Sequence, residues 1–275
     1  MEVGILIHMS SDVYEDIAKM ARLGFTNGQL AIWDMSLYCE EKCAEIKRAM
    51  ADFGFTVTAV WCGWSGPVEW SFPNMYSTLG LVPAAWRAQR VHEILQGAKF
   101  AHALGVKYII THLGYLPDNP KNPDRIGVVD AVRYICQQIA PYGQRFLFET
   151  GEELPTTIIQ LMQEVGLDNM GINYDPANLL INARANPSDA LDLLLPFVHG
   201  VHGKDGIYPT GLSPKGKEVM VGQGKANFPV LIKKLLDGGY SGNITIEREI
   251  PYGPQRDAEI VEEKRYLEDV IAGKV

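Results

Sequence analysis

The chain of 275 residues is 47% hydrophobic and 21% charged, which is the composition of an ordinary soluble globular protein. Its formal net charge of −8 argues against nucleic acid as the main partner, because binding to a phosphate backbone depends on clustered lysines and arginines. No apolar stretch approaches the roughly 20 residues that cross a bilayer, and the first residues lack the basic and apolar segments of a signal peptide, so we expect a cytoplasmic protein without a membrane partner.

Strand-like and helix-like segments alternate from one end of the chain to the other. Apolar runs predict eight strands, at Val3–His8, Gly28–Trp33, Phe55–Trp61, Val106–Thr111, Arg145–Glu149, Met170–Asp175, Phe197–His202 and Asn243–Glu247. Helical periodicity, with glycine at many of the ends, predicts a helix after each strand. Seven of these helices lie at about Ser11–Gly24, Cys39–Phe53, Ala84–Leu104, Pro155–Gly166, Pro187–Leu195, Phe228–Leu236 and Pro254–Ile271. The eighth follows a loop marked by Pro117, Pro120 and Pro123 and ends at about Tyr142.

Two connections are longer than the others. The first, Gly63–Pro83, contains three glycines, three prolines and several aromatic residues, and the second runs from Asp205 to Ala226. A connection this long inside a compact domain is usually functional or disordered, and the first is too aromatic for disorder.

The four cysteines, Cys39, Cys43, Cys62 and Cys136, contain no CxxC pair. Cys39 and Cys43 could share a helix face, but two thiols without a nearby third ligand are a weak indication of zinc. We therefore interpret all four as reduced cysteines of a cytoplasmic protein.

Eight strand–helix units in about 250 residues predict a (β/α)8 TIM barrel that forms a single domain over residues 1–275. The main alternative is a doubly wound open sheet. Neither a G-x-G-x-x-G motif nor a P-loop follows the first strand, which favours the barrel.

In such a barrel the active site lies where the strands end and the following loops begin. Four strands end in residues that could bind a metal ion: Glu149, Asp175, His202 and Glu247. Three carboxylates held together repel and raise one another's pKa, and a divalent cation removes that repulsion. Three oxygen ligands with one nitrogen favour Mn²⁺, Mg²⁺ or Co²⁺ over a closed structural zinc site.

Several motifs in the second half of the chain carry a resemblance to a known family. They are Phe148-Glu149, Tyr174-Asp175-Pro176-Ala177-Asn178, His202-Gly203-Lys204-Asp205, Gly222-Gln223-Gly224, and Gly239-Tyr240-Ser241-Gly242 ahead of Ile244-Thr245-Ile246-Glu247. With them the sequence resembles the xylose isomerase-like TIM barrels, the sugar isomerase and epimerase group that includes ketose 3-epimerases such as D-tagatose 3-epimerase. The resemblance covers nearly the whole chain.

The resemblance implies one divalent metal ion, with Mn²⁺ expected first and Mg²⁺, Co²⁺ or Zn²⁺ as alternatives, held by Glu149, Asp175, His202 and Glu247. It also implies that Glu149 and Glu247 are catalytic. One would remove a proton beside a carbonyl group of the substrate, and the other would return a proton to the opposite face of that carbon. The bound metal would stabilise the enediolate charge.

The sequence departs from the family at Asn178, where related proteins often have a histidine that touches a substrate oxygen. An amide can still donate and accept hydrogen bonds, but it cannot relay a proton. The additional histidines of the zinc site in endonuclease IV-type relatives are also missing from the loop between Asp205 and Ala226. This argues against a role in DNA repair.

Further substrate-binding candidates are His112, Asn178, Lys204, Trp61 and Trp64. For His112 a structural role as a buried histidine is an equal alternative. Other polar residues are given structural roles: His8 in the core or behind the site, Arg87 and Arg90 at the surface or in salt bridges, and Glu152 and Glu153 as caps of the next helix.

The leading functional hypothesis is a metal-dependent isomerase or epimerase of a sugar or keto-sugar. One alternative is a metal-dependent lyase that eliminates the aglycone from a 3-oxo-glycoside, and another is a sugar-binding barrel without catalytic activity. The resemblance favours a homodimer or homotetramer, and the expected ligand is a small sugar.

Overall fold

A computed structural model describes residues 1–275 and contains a closed barrel of parallel strands. In chain order the strands are β1 (Val3–His8), β2 (Asn27–Ile32), β3 (Thr56–Cys62), β4 (Tyr108–Thr111), β5 (Arg145–Glu149), β6 (Met170–Tyr174), β7 (Val198–Gly203), β8 (Asp205–Ile207), β9 (Lys217–Val219) and β10 (Ile244–Ile246). The barrel has the order β1-β10-β7-β6-β5-β4-β3-β2 and closes through β1 and β2, while β8 and β9 form a separate antiparallel hairpin. The predicted TIM barrel is confirmed.

Helices surround the barrel. They are α1 (Val13–Arg22), α2 (Glu40–Phe53), α3 (Met75–Thr78), α4 (Ala84–Leu104), α5 (Pro123–Ile139), α6 (Pro155–Val165), α7 (Pro176–Ile181), α8 (Pro187–Leu194), α9 (Phe228–Asp237) and α10 (Pro254–Ile271). The helices bury their apolar stripes against the strands in one core cluster of 63 residues. None of them combines the length and the apolar character that a bilayer crossing requires.

The second long connection is more ordered than the sequence indicates, because it contains the hairpin β8–β9. Asp205, at the start of the hairpin, folds the whole segment around its carboxylate. That carboxylate accepts hydrogen bonds from the backbone N–H groups of four residues at 2.8–3.1 Å: Gly206, Gly222, Gly224 and Ala226. A Cβ atom on Gly224 would lie 2.0 Å from the Asp205 carboxylate, so this position requires glycine.

The first long connection is organised by Arg90, which is fully buried and is not the surface or salt-bridge residue expected from its helix. Its guanidinium group donates to the backbone carbonyls of Ser65, Pro67, Thr78 and Gly80 at 2.6–3.2 Å. These bonds hold the aromatic loop against α4, at the end of the barrel where the carboxyl ends of the strands lie.

Candidate active site

The four predicted ligand residues converge at the carboxyl ends of β5, β6, β7 and β10. One donor atom from each of Glu149, Asp175, His202 and Glu247 lies within 4.8 Å of the others, and all four residues are buried. The Nδ1 atom of His202 is the common point of the cluster. It lies 3.2 Å from a Glu149 oxygen, 3.5 Å from Oδ2 of Asp175 and 3.1 Å from Oε2 of Glu247.

This arrangement fits a divalent metal ion. Nδ1 of His202 and Oδ2 of Asp175 are buried without any hydrogen-bond partner, which is costly for polar atoms unless another group binds them. Burial raises the pKa of Asp175 to about 6, and three carboxylates in one buried cluster favour a compensating cation. The cluster could therefore hold a metal ion through three oxygens and one nitrogen.

Asp175 is positioned by the start of helix α7, which the sequence did not predict. Its Oδ1 atom accepts the backbone N–H of Asn178 at 2.8 Å as the N-cap of that helix, and Pro176 occupies the first helical turn. One carboxylate oxygen of Asp175 therefore begins the helix, and the other faces the cluster.

Glu149 is held by two side chains that were predicted as substrate contacts. Nε1 of Trp61 donates to Oε2 of Glu149 at 2.5 Å, and Nδ2 of Asn178 donates to Oε1 at 3.2 Å. Although burial raises the pKa of Glu149, the rings of His202 and His112 lower it to a net value below the ordinary one. The Glu149 carboxylate is thus fixed in orientation by two hydrogen-bond donors.

Lys204 lies beside the cluster, next to Glu247. Its ammonium group is buried and lies 3.0 Å from Oε2 of Glu247, 2.8 Å from Glu249 and 4.0 Å from Asp175. Burial alone would lower the pKa of Lys204, but Glu247 and Glu249 raise it well above its usual value. Lys204 is therefore a fixed positive charge beside Glu247.

A cavity of about 390 Å³ opens above the cluster. Five of the residues that the sequence singled out line it: Trp61, His112, Asn178, Lys204 and Glu247. Trp64 does not line this cavity, because its side chain is buried behind the wall, against Trp33, Trp61 and the guanidinium group of Arg90.

Other wall residues had been assigned elsewhere or overlooked. His8 is exposed and lines the cavity, so its expected place in the core or behind the site is wrong. Sequence reasoning did not identify several further residues of the wall: Trp33, Trp70, Glu152, Lys215 and Glu249. Only the length and aromatic content of the first loop pointed towards Trp70.

Glu152 and Glu153 do not cap helix α6, which begins after Leu154 without any side-chain cap. Both glutamates are buried. Oε2 of Glu152 lies 2.9 Å from Nδ1 of His112, and burial together with Glu152 raises the pKa of Glu153 to about 8. Burial alone would lower the pKa of His112, yet Glu152 and Glu149 raise it to about 10. The segment after β5 therefore places a carboxylate beside His112 at the cavity.

Known proteins are similar to this chain in sequence and in fold. The family model for xylose isomerase-like TIM barrels matches residues 17–270. A segment of 113 residues is 29% identical to the uncharacterized protein YihM of Escherichia coli (strain K12), and this match covers 40% of the chain and only 34% of that protein.

Two solved structures cover nearly the whole chain. The xylose isomerase domain protein from Planctomyces limnophilus is 28% identical with a TM-score of 0.89, and the match covers 98% of each chain. The apo form of the 3-keto-D-glucoside 4-epimerase YcjR from E. coli is 18% identical with a TM-score of 0.71, and the match covers 98% of this chain and 99% of that one. At 18% identity the second likeness concerns the fold alone.

Proposed function

Because the chain belongs to the xylose isomerase-like TIM barrel family, we propose that it is a divalent-metal-dependent isomerase or epimerase of a sugar or keto-sugar. The observation that carries this proposal is the buried cluster of Glu149, Asp175, His202 and Glu247, which reaches a cavity of about 390 Å³ through Glu247. A keto-sugar substrate is consistent with the structural neighbour from E. coli, which is a 3-keto-D-glucoside 4-epimerase.

In this proposal the four residues hold one metal ion, with Mn²⁺ first and Mg²⁺, Co²⁺ or Zn²⁺ as alternatives. When bound, the ion supplies Lewis-acid stabilisation to the oxygens next to the reacting carbon. Glu149 and Glu247 act as the two bases on that carbon. Their strands are separated in the ring by β6 and β7, so the two carboxylates approach the centre of the barrel from different directions.

The cavity itself favours an uncharged sugar. Lys204 is already paired with Glu247 and Glu249, and Lys215 donates to the backbone carbonyl of Trp70 at 3.1 Å. In TIM barrels a phosphate is frequently bound by a helix N-terminus together with the loops after the seventh and eighth strands of the barrel. In this protein those two strands are β7 and β10. Here β7 leads into the hairpin β8–β9, and Glu249 follows β10 in the cavity wall. The tryptophans of the wall suit the apolar face of a sugar ring.

A lyase is the second candidate, because only one of the two proposed bases lines the cavity. Glu247 is part of the wall, whereas Glu149 lies beneath Trp61 and Asn178. A single base suffices for elimination from a 3-oxo-glycoside. The base takes the proton beside the carbonyl, the C–O bond to the aglycone breaks, and the departing oxygen takes a proton from water.

Two experiments test the proposal. The purified protein should bind about one divalent metal ion per chain, and Glu149→Ala or His202→Ala should lower that occupancy by about tenfold or more, since each removes a ligand. An unchanged metal content in both variants would contradict the site. Incubation with candidate keto-sugars in D2O separates the reactions: deuterium in an intact sugar indicates epimerisation or isomerisation, and a released aglycone indicates elimination.

A further inference from the structure

Gln29, in the middle of β2, is a buried amide in the centre of the barrel. Its Oε1 atom lies 3.0 Å from Nε2 of His202, and its Nε2 atom donates to Oδ1 of Asn173 at 3.2 Å. All three side chains are buried. Because Oε1 of Gln29 can only accept, it binds the protonated Nε2 of His202, so Nδ1 is the ring nitrogen that faces the carboxylate cluster and can give its lone pair to a metal ion.

We propose that Gln29, fixed by Asn173, is a positioning residue that sets the tautomer and ring orientation of His202 for metal binding. The inference rests on the proposed role of His202 as a metal ligand. Histidines that bind metals usually donate their other N–H group to a carbonyl or carboxylate oxygen, and loss of that acceptor weakens binding.

The backbone is shaped to bring the two amides together. The pairing of β2 with β3 shifts between Gly28 and Gln29, and the pairing of β6 with β7 shifts between Ile172 and Asn173. Such irregularities redirect side chains locally. Both residues of the amide pair therefore stand at a register shift in the barrel wall.

Gly200 leaves the space that the network requires. It pairs with Asn173 across β6 and β7, and a Cβ atom at Gly200 would lie 2.3 Å from Oδ1 of Asn173. Any larger residue would push the Asn173 amide away from Gln29. The glycine thus keeps the acceptor of the Gln29 N–H group in place, and with it the direction in which Oε1 of Gln29 points.

Gln29 also lines a second cavity, of about 460 Å³, which lies at the amino-terminal end of the barrel and is bordered by Tyr108, His199 and Asn243. The Gln29 side chain therefore borders a cavity at the amino-terminal end of the barrel and does not line the cavity above the cluster. This separation allows the network to be altered without touching the walls that face the sugar.

The test compares two variants at Gln29. Gln29→Met removes the acceptor at nearly constant volume, and we expect the dissociation constant of Mn²⁺ to rise about 10- to 100-fold. Gln29→Glu restores an acceptor for Nε2–H of His202, and Asn173 can turn its unpartnered Nδ2 group towards the new carboxylate. We expect Gln29→Glu to bind Mn²⁺ within about threefold of the wild type, since carboxylate–histidine pairs support metal ligands well.

Tyr108→Phe serves as the control, because it alters the same lower cavity without contacting His202. It should leave the dissociation constant of Mn²⁺ unchanged. In the Zn²⁺-loaded wild type, a slowly exchanging Nε2–H proton of His202 should be visible by NMR, and it should exchange faster in Gln29→Met. These readouts are independent of catalysis.

The outcomes separate this inference from the proposed function. A wild-type protein that binds no divalent metal overturns both. A wild type that binds Mn²⁺, together with a Gln29→Met variant of equal affinity, overturns only the role of Gln29. The same holds if Gln29→Glu binds as weakly as Gln29→Met, because the acceptor would then not be the property that matters.

Discussion

Glu263 allows a quantitative test of how a buried carboxyl group changes the stability of this fold with pH. It lies in α10, only 1% exposed, where Oε1 accepts the backbone N–H of Val221 at 3.1 Å and Oε2 has no partner. Burial, together with the nearby carboxylates of Glu218 and Glu259, raises the pKa of Glu263 to about 8. An unfolded glutamate titrates at about 4.3, so between these values the folded protein keeps a proton that the unfolded chain has released.

The sign of the effect follows from this difference. The folded state binds more protons, so the free energy of unfolding falls as the pH rises from about 4.3 to about 8. At about 1.4 kcal/mol per pH unit the loss amounts to about 5 kcal/mol. In Glu263→Gln the amide oxygen can keep the Val221 bond and the side chain has no proton to lose. We therefore expect the variant to match the wild type near pH 4 and to be more stable by about 5 kcal/mol above pH 8.

Urea denaturation followed by circular dichroism at pH 4, 6 and 9 measures this difference. Glu262→Gln is the matched control, because Glu262 is its exposed neighbour on the same helix, and its profile should run parallel to that of the wild type. A difference between Glu263→Gln and the wild type that stays constant from pH 4 to pH 9 would refute the reasoning.

Three further predictions concern the loops around the cavity. Asp205→Asn should lower the free energy of unfolding by about 2–4 kcal/mol in thermal unfolding, because one amide oxygen cannot replace a carboxylate that accepts four backbone N–H groups. Arg90→Met leaves four carbonyl groups without their donor, so limited proteolysis should cut within residues 63–83 faster than in the wild type. Lys215→Met removes the bond to the Trp70 carbonyl at the cavity wall, and steady-state kinetics should show a higher KM with kcat changed by less than about twofold.

The barrel could be predicted from the sequence because its signals are local. Apolar runs and terminating glycines such as Gly54, Gly105 and Gly166 mark strands and helix ends, and the structure has these glycines in the left-handed conformation at helix C-termini. The hairpin β8–β9 and helix α7 were missed, since each depends on one aspartate whose side chain binds backbone N–H groups. Asp205 and Asp175 do not reveal this role by their spacing alone.

The convergence of the four proposed ligands could also be predicted from the sequence. Strand ends meet at one face of a barrel, so Glu149, Asp175, His202 and Glu247 could be brought together by topology. The residues that orient them could not. Gln29 contacts His202 across 173 positions of sequence, and a glutamine within an apolar strand gives no sign of its partner. Similarly, Glu152 resembles an N-terminal helix residue until the structure places it against His112.

Asn178 shows why a departure from the family pattern need not weaken the site. Its backbone N–H binds Oδ1 of Asp175, and its side-chain amide binds Oε1 of Glu149. One residue of the first turn of α7 therefore orients two of the three carboxylates. A neutral donor suits this role, because it holds both carboxylates without adding a titrating group between them. The hydrogen bond that begins the helix thus also fixes Asp175, and the same turn directs the Asn178 amide at Glu149, so helix formation and preorganisation of these two proposed ligands occur together.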